Sequence, residues 1–296
     1  MRHQSEPPRV AKASRDGAVS VASIPLRCAV LGLGEAGSVI AADLVAAGAS
    51  VIGFDPVATP PAAVRCAATA AEAVAMADVA LSVNTASVAE RVAAETMPSM
   101  RQGAVWADLN TAAPDLKRRI ARLAEAHRLL FADVALMAPV PGRGLATPAL
   151  AAGTGAQRYA DAVSPLGARV RPLDGPAGTA AARKLLRSVY MKGLAAAVLE
   201  ALAAANAAGC EEWLRTDLAG QLGAEEVERL ERGSHQHAAR RVVEMAAAGA
   251  LLDELGIAPR VTNAARAWLE ELAAAPPSGG PAAAPQPLPS PDRGQR

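Results

Sequence analysis

The run Arg27-Cys-Ala-Val-Leu-Gly-Leu-Gly-Glu-Ala-Gly37 decides how this 296-residue chain folds. Its first half is a short apolar stretch of strand type. Its second half spells G-x-G-x-x-G at Gly32, Gly34 and Gly37, ahead of an Ala-rich amphipathic stretch. Alone the glycine spacing is weak, because Ala- and Gly-rich chains produce it by chance. The setting makes it specific: the glycines leave a predicted strand, open a predicted helix over 34–48, and are followed 21 residues after Gly34 by Asp55, closing the next strand over 51–55. In that arrangement the first glycine permits a tight turn, the second lets backbone approach a pyrophosphate, and the third lets helix pack on strand. The helix N-terminus adds partial positive charge. Asp55 is placed to accept hydrogen bonds from an adenosine ribose. Its carboxylate repels a 2′-phosphate, and Pro56-Val-Ala-Thr59 offers no basic residue to attract one, so NAD is favoured, while Arg65 on the next strand keeps NADP open.

Outward from this run, short apolar segments alternate with Ala-rich amphipathic ones, the sign of βαβ units around a parallel sheet. Strands are predicted over 64–66, 79–83, 104–108, 131–137, 150–152 and 168–173, with helices over 70–76, 88–101 and 157–163. Thr111-Ala-Ala-Pro114 reads as a helix start, Thr111 as cap and Pro114 in the first turn, with the helix running to His127. After Asp174 the strand signal stops. Helices are predicted over 179–208, ending at Gly209, and over 211–219, 225–231, 234–255 and 259–274. The fold class expected is therefore α/β, an N-terminal Rossmann-type, mostly parallel sheet followed by an all-α helical domain. The divisions are a disordered arm at 1–25, a dinucleotide-binding domain at 26–176, a helical substrate and dimerisation domain at 177–275 and a disordered Pro/Ala-rich tail at 276–296.

Composition removes other classes of function. The net charge of +1 gives no field to hold a polyanion or an anionic membrane, and seven aromatic residues leave few rings for base stacking, so nucleic acid and membrane are not expected partners. No uninterrupted apolar stretch reaches the ~18–20 residues of a membrane span; the nearest, 193–209, carries Glu200 and Asn206. The polar first two dozen residues lack the apolar core of a secretory signal. Cys28, Cys66 and Cys210 are odd in number and far apart, which supports neither a disulfide framework nor a metal site and fits a reducing cytoplasm.

Lysine carries the chemical signal. Of 30 basic residues only Lys12, Lys117, Lys184 and Lys192 are Lys, and two of them share one predicted helix. In so Arg-biased a chain a Lys marks a place where an ammonium able to lose its proton is needed. At about 100° per residue Lys184, Ser188 and Lys192 fall within about 80° on one face.

Four segments in order resemble the β-hydroxyacid dehydrogenase family, which includes 3-hydroxyisobutyrate and 6-phosphogluconate dehydrogenases: Gly32-Leu-Gly-Glu-Ala-Gly37, Asp108-Leu-Asn-Thr-Ala-Ala-Pro114, Ala138-Pro-Val-Pro-Gly142 and Gly175-Pro-Ala-Gly-Thr-Ala-Ala-Ala-Arg-Lys184. The resemblance extends over about 27–275. Its C-terminal part, with Arg187-Ser-Val-Tyr-Met-Lys-Gly193 and His237-Ala-Ala-Arg-Arg241, looks most like the NAD-binding phosphogluconate dehydrogenase-like branch of unassigned substrate. It implies a hydride transfer between a small anionic hydroxy acid and nicotinamide, with Lys184 as general acid and base. It also implies substrate contacts at Asn110, Thr111, Pro139, Val140, Gly142, Ser188, Lys192 and His237. Leu33, Glu35, Ala36, Asn84 and Thr85 join the three glycines and Asp55 along the cofactor, and the chain forms a homodimer through its helices. Arg143 and Arg240 are further candidate anion contacts. Two departures from the family pattern, Ser188 in place of Asn and Pro141 in place of Ser, remove hydrogen-bonding reach from the substrate site. Two alternatives accompany this reading: an imine reductase-like enzyme, against which Lys184 argues, and a non-catalytic dinucleotide-binding regulatory protein.

Overall fold

The computed structural model describes residues 25–275; the expectations for the first 24 residues and for the tail lie outside the described residues. Eight strands form one sheet: β1 (Arg27–Leu31), β2 (Ser50–Phe54), β3 (Arg65–Cys66), β4 (Val79–Ser82), β5 (Val105–Asp108), β6 (Leu130–Leu136), β7 (Ala149–Ala152) and β8 (Val170–Pro172). Their order is β3-β2-β1-β4-β5-β6-β7-β8, and every neighbouring pair is parallel except β6 with β7. The order reverses at β1, whose neighbours are β2 and β4. Loops leaving the carboxyl ends of β1 and β4 diverge there and open a crevice, the place where open α/β sheets bind ligands.

The strands read as short apolar runs because both sheet faces are covered. Val30, Leu81, Val105 and Ala107 pack under α1 (Glu35–Ala46) and α5 (Ala156–Val163) on one face. Leu31, Ala80, Trp106 and Phe131 pack on the other, beneath α2 (Ala70–Val74), α3 (Ala86–Thr96) and α4 (Pro114–Ala126). Local chemistry sets the ends. Thr69 Oγ1 accepts from the Glu72 N–H while Glu72 accepts from the Ala68 N–H, a variant of the capping box, shifted back by one residue, that starts the short α2. At α4, by contrast, Thr111 is not the cap: Ala113 holds that position with Pro114 first in the helix. The Thr111 hydroxyl is thereby left to face the crevice.

From Thr179 onward the described chain is helical: α6 (Thr179–Ala207), α7 (Glu211–Leu222), α8 (Ala224–Gln236), α9 (Ala238–Glu254) and α10 (Arg260–Ala274). Gly209, at φ +72°, takes the left-handed residue that ends α6. The break expected between 231 and 234 is absent, since α8 runs through Gly233 to Gln236 and the chain turns instead at His237. A Cβ on Gly233 would lie 2.5 Å from Arg241 Nη2, a close approach that the end of the arginine side chain can relieve by turning. Among the described residues α6 is the one helix long and apolar enough by composition to cross a membrane. In the fold its first turns run beside β6 and the remainder packs against α7, α8, α9 and α10.

Candidate active site

One cleft of about 970 Å³ runs from the glycine turn, across the ends of β4 and β5, to α6 and α9. At the glycine end its wall is backbone. Gly32 has φ +99°, and a Cβ there would lie 2.4 Å from the Val83 carbonyl; one on Gly37 would lie 1.9 Å from the Gly32 carbonyl. These two glycines are required by the packing of turn on strand. Gly34 is different: a Cβ on it would meet nothing within 4 Å, because it faces the open cleft. It caps α1 without a side-chain acceptor for the first-turn N–H groups, so the positive end of the helix is presented to the cleft. That open cradle fits a pyrophosphate.

Gly32, Glu35, Ala36, Asp55, Asn84 and Thr85 line the cleft with Gly34, whereas Leu33 and Gly37 do not. Leu33 is buried, and its N–H donates to Asp55 Oδ2 at 2.7 Å. Asp55 also accepts from the Val57 and Ala58 N–H groups at 2.9 and 2.8 Å, so it builds the turn as well as facing the cleft. Burial works upward on its proton affinity, but these donors outweigh it and hold the carboxyl below the usual range. Asn84 and Asn110 both donate side-chain N–H to Ser82 Oγ, at 3.1 and 3.0 Å, and each leaves a buried amide oxygen without a partner. Both amides stand on the cleft wall, and a donor on a bound ligand would satisfy them.

At the other end the wall is side chains. Lys184, at the second turn of α6, donates to Thr111 Oγ1 at 2.7 Å. Burial pushes its proton affinity down to about 8; Glu244 pulls it upward, while Lys117, Lys192 and Arg240 add to the lowering. Four residues on, Ser188 donates to Glu244 and accepts from Lys192 Nζ at 3.3 Å. Lys192 Nζ also donates to Glu244 Oε1 at 2.9 Å. Burial works upward on Glu244, but Lys192, Lys184 and the Ser188 hydroxyl outweigh it and hold the carboxyl low. For Lys192 burial wins over Glu244, and its proton affinity falls. His237 and Arg240 complete this end with Pro139 and Val140, and burial lowers the His237 proton affinity, helped by Arg240 and Arg241. Gly142 and Arg143 stand outside the cleft: the chain turns away after Pro141, with Gly142 at φ +78° and open space where a side chain would be.

The chain from 27 to 164 matches the family model described as the NAD binding domain of 6-phosphogluconate dehydrogenase. Residues 205–272 match a domain of unknown function (DUF1932). Among solved structures, the chain is similar to the conserved hypothetical protein from Sinorhizobium meliloti 1021, with 28% identity, a TM-score of 0.70, and 88% of this chain and 92% of that chain covered. It is also similar to the conserved protein MTH1747, of unknown function but with structural similarity to 3-hydroxyacid dehydrogenases, at 26% identity and TM-score 0.68 over 83% of this chain and 96% of that one. The chain belongs to the β-hydroxyacid dehydrogenase family. As a member it carries a nicotinamide dinucleotide site, and its sheet-then-helices order is that of the family fold. The Mycobacterium tuberculosis 3-hydroxyisobutyrate dehydrogenase, solved with L-serine, shares that fold at 24% identity and TM-score 0.70, over 85% of this chain and 95% of that one. None of the functionally curated proteins matches the sequence.

In this β-hydroxyacid dehydrogenase family member, sequence reasoning missed Ser82, which holds both cleft amides, and Glu244, the acid that binds Ser188 and Lys192. The signal for Glu244 was present: it is the one charged residue in the apolar run from Val242 to Leu252. An acid in such a run is buried with a partner far more often than it is left alone.

Proposed function

We propose that this protein is an NAD-dependent oxidoreductase that interconverts a small anionic hydroxy acid and the corresponding keto acid, with Lys184 as general base and acid. The observation that carries the reading is the Lys184–Thr111 contact of 2.7 Å, an ammonium buried beside an open dinucleotide cleft with its proton affinity lowered to about 8. A group poised near neutrality exchanges protons in both directions at physiological pH. Bound nicotinamide supplies the acceptor and donor of hydride. Deprotonated Lys184 takes the proton of the substrate hydroxyl in oxidation and returns it in reduction. Asn110 offers its unpartnered amide oxygen to a substrate donor, and Thr111 sets the Lys184 ammonium toward the same point. Lys192, with Arg240 beyond it, supplies positive charge for the carboxylate, His237 offers a neutral imidazole as a hydrogen-bonding group, and Pro139 and Val140 shape the wall.

NAD rather than NADP is supported by Asp55, a low-affinity proton acceptor that stays anionic and repels a 2′-phosphate, with Pro56 and Val57 beside it on the cleft wall. We also infer a homodimer through the helices. Large apolar side chains exposed in the single chain, among them Leu186, Tyr190, Trp213, Val243 and Val261, gather on α6, α7, α9 and α10. The test is thermal stabilisation with NAD, NADH, NADP and NADPH, followed by a panel of hydroxy acids on the best cofactor. A ligand that binds only the folded chain raises its stability. Stabilisation by NAD(H), increased by one acid that is then turned over, is the expected result. Cofactor binding with no acid turned over would favour the non-catalytic reading.

A further inference from the structure

Beneath the site lies a buried strut that the reaction does not touch. Lys117, on α4, is fully buried. Its ammonium donates to the Asp108 carbonyl at 2.9 Å and to Asp108 Oδ1 at 3.1 Å, and it lies 3.5 Å from Asp133 Oδ1. Asp108 ends β5 and Asp133 stands in β6, both fully buried. Each carboxylate holds something else. Asp108 Oδ1 accepts the Asn110 N–H at 2.9 Å, which fixes the turn carrying Asn110 and Thr111. Asp133 Oδ2 accepts the Gly178 and Ala181 N–H groups, both at 3.0 Å. Gly178 caps α6 at φ +97° and has no side chain to do this, so Asp133 caps the helix from a neighbouring strand. Ala181 is three residues ahead of Lys184.

We propose that Lys117 is the positioning residue of this site: clamped between Asp108 and Asp133, it fixes the distance between the Asn110–Thr111 turn and the start of α6, and so holds Lys184 on Thr111. The two partners of the Lys184–Thr111 pair sit on different elements, and each is anchored to one carboxylate of the strut. The gap between strut and pair is a 10 Å³ cavity lined by Asn110, Thr111, Asp133, Ala181 and Lys184, with room for at most one water, so a shift of either anchor reaches the pair undamped. An ammonium is suited to the place because it is a compact charge with three donors, whereas a guanidinium needs a flat, wider slot. The inference rests on the proposed role of Lys184, but its test needs no substrate.

The chain has four lysines, so the ¹³Cε-lysine resonances of the full-length protein can be assigned by replacing them singly. The Lys184 midpoint is followed in the parent, Lys117→Met, Lys117→Arg and Asp133→Asn, with Ile120→Ala as a destabilised control elsewhere on α4. The groups facing Lys184 are Thr111, Lys117, Lys192, Arg240 and Glu244, and only the strut changes. Removing the Lys117 charge by itself moves the Lys184 midpoint up, by about half a pH unit or more in Lys117→Met, so positioning is read from the charge-keeping Lys117→Arg and from Asp133→Asn. Lys117→Arg keeps the charge but not the fit, and is expected to give a broadened Lys184 signal. Asp133→Asn keeps an oxygen for the two helix N–H groups while removing the charge that faces Lys117, and is expected to broaden or shift Lys184 as well. Ile120→Ala should leave the midpoint at the parent value despite its lower melting temperature. Folded Lys117→Arg and Asp133→Asn variants with an unchanged Lys184 midpoint and line shape would overturn the proposal, as would an equal shift in Ile120→Ala. A parent midpoint in the ordinary lysine range would overturn the catalytic reading instead.

Discussion

At the dinucleotide end the turn that faces the cleft is main chain from one short stretch between Gly32 and Ala36, and its geometry follows from which residues lack a Cβ. At the chemical end the wall is side chains from three places far apart in sequence: Thr111 after β5, Lys184, Ser188 and Lys192 on α6, and Glu244 on α9. The turn is rigid by sterics and is braced by the Asp55 carboxylate. The chemical end is held by charge, in low dielectric, where each group sets the proton affinity of the next. The difference predicts that substitutions at the two ends fail in different measurements.

The largest effect belongs to Lys184. Lys184→Met should lower turnover by about 10²- to 10⁴-fold, the range for loss of a general acid–base, while dissociation constants for NAD measured by titration stay within a few-fold of the parent. Equal turnover in parent and variant would remove Lys184 from the chemistry. Next come the glycines, which separate packing from ligand space. Gly34→Ala should weaken NAD by about 10- to 100-fold at an unchanged melting temperature. Gly37→Ala should cost about 1–3 kcal/mol of stability through overpacking. Chemical denaturation and NAD titration of the pair decide it: equal stability losses would break the distinction.

Glu244→Gln should act on pH dependence. Lys184 must be deprotonated to serve as base, so kcat/KM for oxidation rises with pH through about 8 in the parent. Glu244 favours the ammonium; removing its charge moves that limb to lower pH, by about one unit. The same residue links pH to stability. The folded proton affinity of Lys184 lies below its ordinary 10.5, so the unfolded chain binds the proton more tightly, and stability from this group rises between about pH 8 and 10.5. Lys184→Met should flatten that rise in denaturation curves. The smallest effect is expected at Asp55: Asp55→Asn should narrow the preference for NAD over NADP by about tenfold, 1.4 kcal/mol, in paired titrations. A preference for NADP in the parent would reverse the reading of Asp55.

The dinucleotide end was legible because its determinants are consecutive: a strand, three glycines at fixed spacing, a helix and an acid after the next strand. The fold followed from the same periodicity, down to the helical half. Its helix boundaries slipped between 231 and 234, where α8 runs on through Gly233 to Gln236 and the turn falls at His237. The chemical end was legible on α6, where Lys184, Ser188 and Lys192 share a face. It was illegible where partners converge from other elements, as with Glu244 on α9 and Ser82 under the two amides. Ser188, which looks in sequence like lost reach toward a substrate, is spent on Glu244. Thr111, read as a helix cap, is the partner of Lys184 instead. Lys117 was within reach, since the scarcity of lysine that singled out Lys184 applies equally to it.

The unbroken length of α6 makes it a lever. Its 29 residues form a rod of about 43 Å, with Lys184 near one tip and the other helices packed along the rest. That tip is tied to β6, because Asp133 accepts from the Gly178 and Ala181 N–H groups. A small tilt of a rod held in this way is magnified at its far end and least felt at Lys184, so the side chains near Ala207 would travel furthest while the Lys184–Thr111 pair stays together.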